Sequence, residues 1–150
     1  GTLLLEQQIP VDSIDLTFSA TFVMQATTGL IYGFSGSGYA MIVLDYLDGA
    51  GESLGFTRIL NVNENLFAGT AFVGAPDKIS DTNSMHNILI ESDKVYKNYK
   101  LNIRKEVNEN LLGINSDDIR SIKVVLIVGS TDKNASGTLT VSDLALKPNH

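Results

Sequence analysis

The sequence predicts an all-β fold, an antiparallel sandwich, and three observations carry that prediction. Apolar and polar residues alternate with period two through most of the chain, the pattern of strands with one buried face. Turn signals recur about every ten residues, a spacing typical of sandwiches. Val, Ile and Thr are abundant where the alternation is clearest, which favours a sandwich over a βαβ arrangement.

The elements follow in order. Leu3–Ile9 opens the chain as a strand. In Leu16–Met24, the residues Leu16, Phe18, Ala20, Phe22 and Met24 share one side, with Thr17, Ser19 and Thr21 on the other. Tyr39–Leu47 places Ala40, Ile42, Leu44 and Tyr46 toward a core. Its second face, Met41, Val43 and Asp45, is apolar enough to be partly covered. The glycine-bearing turn Asp48–Glu52 returns the chain into Leu54–Leu60, making a hairpin. Further strands are expected at Leu66–Val73, His86–Glu91, Tyr96–Ile103, Ile122–Gly129 and Gly137–Leu146, about nine in all. One short helix is expected near 105–114, where Val107, Leu111, Leu112 and Ile114 fall at near-helical spacing and Gly113 ends the pattern. Ser116–Ile119 reads as a capped turn, and 74–84 as the one long irregular segment.

Length and charge bound the function. The chain has 150 residues, enough for a full hydrophobic core. It has no cysteine, which excludes disulfide scaffolds and thiolate metal sites. The net charge of −6 argues against a nucleic-acid surface. Arg58 is the only cation in residues 1–75, and Lys94, Lys97, Lys100, Arg104 and Lys105 form the one basic concentration, read as an ordinary solvated face, with a patch for an acidic ligand such as a uronic-acid polymer as the alternative. The uncharged run from Leu16 to Leu44 is broken by serines, threonines and glycines, so it is not read as a membrane span. Opening on Gly-Thr without Met, the chain is expected to be a single module, 1–150, of a longer multidomain protein.

Catalytic signals are weak, and no enzyme is expected. His86 is the only internal histidine, with Ser84 at a poor spacing for a triad. Asp45, Glu91 and Asp143 are the strand-borne acids that a glycoside hydrolase would draw on. A lyase-like set would need His86, Arg104, Glu91 and Tyr99 together in a cleft. Gly33–Gly38 lacks the lysine and helix of a phosphate loop and reads as a flexible turn. Asp48–Glu52 is too short for an EF-hand. Asp143, inside the alternating Thr140–Leu146, needs water, a partner or a cation.

Two segments resemble the galactose-binding-like jelly rolls, the superfamily that includes many carbohydrate-binding modules. They are Tyr39–Gly55, an alternating strand with Leu-Asp, a glycine turn and Leu-Gly, and the closing half from Tyr99 through Gly129 to Gly137–Leu146. The resemblance implies a jelly-roll sandwich. It also implies a non-catalytic carbohydrate-binding module, extracellular or on the cell surface, whose partner is a polysaccharide or glycan. In calcium-containing members the acid on the last strand coordinates a structural Ca2+; Asp143 matches it, though Ser142 stands where a second acid is common. Such modules stack sugar rings on aromatic faces and read hydroxyls with polar groups. Here Tyr32, Phe34, Tyr96 and Tyr99 are the candidate platforms, and Asp45, Asn102, Arg104 and Lys123 the candidate polar groups. The chain has no tryptophan, the commonest platform, which favours the rival reading of a structural or adhesion sandwich without sugar binding.

Overall fold

The computed structural model describes residues 2–31, 34–62, 81–90, 95–130 and 136–149, with backbone alone for 28–31, 34–37 and 62. The strands are β1 (Thr2–Pro10), β2 (Leu16–Ala26), β3 (Thr28–Ile31), β4 (Phe34–Leu47), β5 (Ser53–Val62), β6 (Met85–Leu89), β7 (Lys97–Asn102), β8 (Ser121–Ser130) and β9 (Gly137–Pro148), with one helix, α1 (Ile103–Asn110). Eight of the expected strands are among them; Leu66–Val73 lies outside the described residues. The short β3 was not expected. It pairs with Phe34–Ser37, so part of the supposed flexible glycine turn belongs to β4. Backbone hydrogen bonding needs no side chain, and β3 supplies the partner.

Two sheets form the expected jelly-roll sandwich. The larger runs β1-β8-β4-β5-β6 with β3 beside β4, and the smaller runs β7-β2-β9. One pairing departs from the antiparallel expectation, because β5 and β6 are parallel. The chain between Val62 and Met85 is long enough to return to the same end of the sheet, which a parallel pair requires.

The core sits where the alternation put it. Phe18, Ala20, Phe22 and Met24 of β2 face Ala40, Ile42, Leu44 and Tyr46 of β4, with Ile59 and Ile122 beside them, all buried. Where the sheets come close, a methyl added to Gly137 would overlap the carbonyl of Tyr39, so only glycine fits. The β4–β5 turn is built by Asp48, whose Oδ1 accepts from the amides of Ala50 and Glu52 at 2.9 Å. Gly51 there has φ +81°, which L side chains rarely adopt.

β7 runs directly into α1. Asn102 caps the helix, its side chain accepting from the Lys105 amide at 3.1 Å. Ile103, Glu106 and Val107 are buried. The helix ends at Asn110, earlier than expected, with Leu111 buried behind it and Leu112 exposed. A 3-10 turn at Ser116–Asp118, capped by Asn115, leads toward β8.

Candidate functional site

The outer face of the larger sheet carries the residues that alternation turns away from the core. Strand pairing sets them in rows. One row runs Leu4, Ile127, Met41; the next runs Glu6, Val125, Val43, Arg58, Asn87; the third runs Gln8, Lys123, Asp45, Phe56, Met85. Together they line a shallow depression of about 300 Å³ whose walls are Leu4, Glu6, Met41, Val43, Asp45, Phe56, Arg58, Lys123, Val125 and Ile127. Val43 and Val125 form its floor and are only 9% and 7% exposed although they point away from the core. Charged groups ring that floor, and among the described residues no ion pair joins Glu6, Asp45, Arg58 or Lys123 to one another.

Arg58 is held in place. Its Nε donates to Asn87 Oδ1 at 2.7 Å, an Nη contacts Met85 Sδ at 3.3 Å, and the guanidinium lies 5.3 Å from the centre of the Phe56 ring. Partial burial lowers its pKa from the usual arginine value. Asp45 accepts from the Ser53 hydroxyl at 2.5 Å and faces Lys123 across the β4–β8 pair. The face therefore offers apolar surface in the middle and both donors and acceptors around it.

The residues predicted as ligands do not all come to this face. Asp45 does, and so does Lys123. Tyr32 lies outside the described residues, and only the backbone of Phe34 is described, on β4. Tyr99 and Asn102 belong to β7 in the opposite sheet. Tyr99 pairs with the inward Ala20 and packs on the core, so its ring is a packing group. Asn102 is used as the helix cap. Arg104 sits on α1 and donates to Ser13 Oγ at 3.3 Å. Tyr96, before β7, is 50% exposed and stands apart from the depression. Glu6, Phe56 and Arg58 were missed, although Arg58 as the lone cation of the first half was a usable signal.

Asp143 is exposed on β9, beside a register break at Ser142, and pairs with Thr21. Water can satisfy it there. A calcium ion takes six to eight oxygens, and among the described residues no group of three or more His, Asp or Glu gathers to hold a metal.

A second polar cluster lies where α1 closes the sandwich. Glu106 is buried and its carboxylate meets His86 Nδ1. His86 Nε2 is 3.9 Å from Asp81 Oδ2, and Asp81 Oδ1 accepts from the Asn87 amide at 2.8 Å. The histidine considered for catalysis is thus part of the clamp between β6 and α1, and Arg104 is engaged elsewhere, with Ser13. Glu91, the fourth member of the lyase-like set, lies outside the described residues.

Nearby, the buried Tyr46 hydroxyl shares a 2.8 Å hydrogen bond with Thr57. Burial pushes the Tyr46 pKa well up, the Thr57 bond opposes this, and the nearby Glu106 adds to the rise. Tyr99 is raised too, by burial and then by Glu106. A folded pKa above the unfolded value of about 10 contributes stability that is complete below that value and is lost as pH climbs through the folded one. Urea unfolding midpoints are therefore expected to fall above about pH 10, and Tyr46→Phe to make that fall shallower. An unchanged alkaline slope in the variant would remove Tyr46 as its source.

Comparison with known proteins adds a structural likeness. A loop-swap mutant of Xyn11A from Necallimastix patriciarum has a TM-score of 0.44 to this chain at 9% sequence identity, the match covering 97% of this chain and 76% of that one. No family model matches the sequence, and no curated protein does. Among the described residues, no helix is long and apolar enough to cross a membrane.

Proposed function

We propose that the domain is a non-catalytic carbohydrate-binding module of the galactose-binding-like kind, and that its glycan lies across the outer face of the larger sheet. The observation that carries this reading is the depression over Val43 and Val125, ringed by Glu6, Asp45, Arg58 and Lys123. A pyranose ring has apolar C–H surfaces and a rim of hydroxyls. The valine floor, with Met41 and Ile127, suits the first, and the carboxylates and cations suit the second. Two carboxylates face two cations, so the face is charge-balanced and fits a neutral polymer better than an acidic one. Binding comes from this mixed surface, with Phe56 taking the place that tyrosine stacking was expected to fill.

Two features support a binding role over hydrolysis. The depression is shallow and open, whereas glycoside hydrolysis needs one acid kept protonated in a secluded site. Asp45 is also engaged by Ser53. On this reading the module works outside the cell or on its surface, tethered to other domains.

The test is retention of the domain on a panel of neutral and acidic polysaccharides, with calcium and with chelator. Retention on a neutral polymer, unaltered by moderate salt, is expected. Retention lost on chelation would support a structural calcium, and Asp143→Ala in both buffers would locate it. No retention on any polymer would assign the domain to structural or adhesive contact.

A further inference from the structure

Edges of β-sheets expose unpaired backbone groups, and proteins blunt them with short strands, lysines, prolines, bulges or cover. The edge strands among the described residues are β1, β3, β6, β7 and β9. Most carry such a device. β3 and β6 have four and five residues. β7 bears Lys97 and Lys100 within six residues. β9 has a register break near Ser142 and ends in Lys147 and Pro148.

β1 carries almost none. It runs nine residues in unbroken register with β8, has Glu6 as its only charge, and has no proline before Pro10. Its leucines are open to water, with Leu3 63%, Leu4 48% and Leu5 61% exposed. Leu3 and Leu5 lie opposite Val128 and Leu126, on the side where β8 packs against the core, yet they themselves remain exposed.

We propose that two copies of this chain pair edge to edge through β1, antiparallel, about a two-fold axis at Leu4. The strand is self-complementary in that register. Leu4 meets the partner's Leu4, Leu3 meets the partner's Leu5, and Glu6 meets the partner's Thr2. Shifting the axis to Glu6 would set two carboxylates against each other, and shifting it to Leu5 would set Leu4 against the partner's Glu6. Only the Leu4 axis opposes leucine to leucine at all three leucine positions while keeping the glutamates apart. On the core side, Leu3 and Leu5 with their counterparts form a cluster of four leucines that shield one another. On the outer side, Leu4 and Glu6 also wall the depression, so the two depressions become neighbours on one continuous sheet. That last consequence rests on the glycan reading; the pairing does not.

The chain has no cysteine, which makes the register directly testable. Residues opposed across an antiparallel pair have Cα atoms about 4.5–5.5 Å apart, within disulfide reach. Under mild oxidation of the 150-residue chain, Leu4→Cys is expected to give a covalent dimer on a non-reducing gel. Thr2→Cys, which faces the partner's Glu6, and Leu112→Cys, exposed on another part of the molecule, are expected to stay largely monomeric. The unmodified chain is expected to sediment at twice 16.2 kDa, and Leu4→Lys, confirmed as folded by circular dichroism, at the monomer mass. A wild-type monomer at the highest soluble concentration, as would follow if another stretch of the chain covered β1, overturns the proposal. So does Leu4→Cys cross-linking no faster than Leu112→Cys.

Discussion

His86→Ala is expected to destabilise the domain by about 3–5 kcal/mol, because it strips a buried carboxylate of its partner. Glu106 is buried on α1, and His86 on β6 meets its carboxylate. The other contact on that carboxylate is a long 3.5 Å one from Asn110 Nδ2, too weak to replace the imidazole. The contact also ties α1 to the edge of the larger sheet, so its loss loosens the helix that carries Ile103 and Val107 into the core. Each kcal/mol is worth about 2–4 °C for a domain of this size, so a melting point lower by roughly 10 °C is expected. Adding Glu106→Gln to His86→Ala is expected to recover part of the loss, since a neutral amide is cheaper to leave underpaired than a carboxylate. Urea unfolding of the two single variants and the double variant checks this. A cost of His86→Ala below about 0.5 kcal/mol, the range of an ordinary surface substitution, would show that the clamp is incidental.

Arg58→Ala is expected to weaken retention on the recognised polysaccharide by about tenfold or more, the equivalent of roughly 1.4 kcal/mol. Its guanidinium is fixed by Asn87, Met85 and the Phe56 ring, so little entropy is lost when it donates to a ligand hydroxyl. The same substitution is expected to cost the fold about 1 kcal/mol or less, since the side chain lies on the outer face. Arg104→Ala is the matched control, because Arg104 bonds Ser13 on the far side of the sandwich. Affinity electrophoresis in gels containing the polymer separates the two. Equal losses from both variants, or none from Arg58→Ala, would detach Arg58 from the binding face.

Much of the fold was legible because period-two alternation reports directly on burial. Phe18, Phe22, Ile42, Leu44 and Tyr46 all entered the core as their spacing required. Tyr99 was legible in hindsight, since it shares a strand face with Leu101 and that face packs inward. Glu106 carried a signal as well, three residues after Ile103 and beside Val107 on the buried side of α1.

The proposed binding face was not legible, and the reason is topological. Alternation says which residues leave the core, but not which strands become neighbours. Glu6 reaches Val43 and Arg58 only because β1 pairs with β8 and β8 with β4, contacts between residues far apart in sequence. A lone strand therefore showed Asp45 as a polar residue on a partly apolar face, and left its companions Lys123, Arg58 and Glu6 unassembled. The same limit scattered the predicted site, since Asn102 and Arg104 look polar and available until the cap and the Ser13 contact are seen.

The most direct test of the central claim is to map amide chemical shifts while titrating the domain with oligosaccharides of the polymer it retains. The expected shifts concentrate on β1, β8, β4 and β5 around Glu6, Val43, Asp45, Arg58, Lys123 and Val125, and leave β7 and α1 unmoved. Shifts centred on Tyr96, Asn102 and Arg104 would contradict the account and move the site to the opposite sheet.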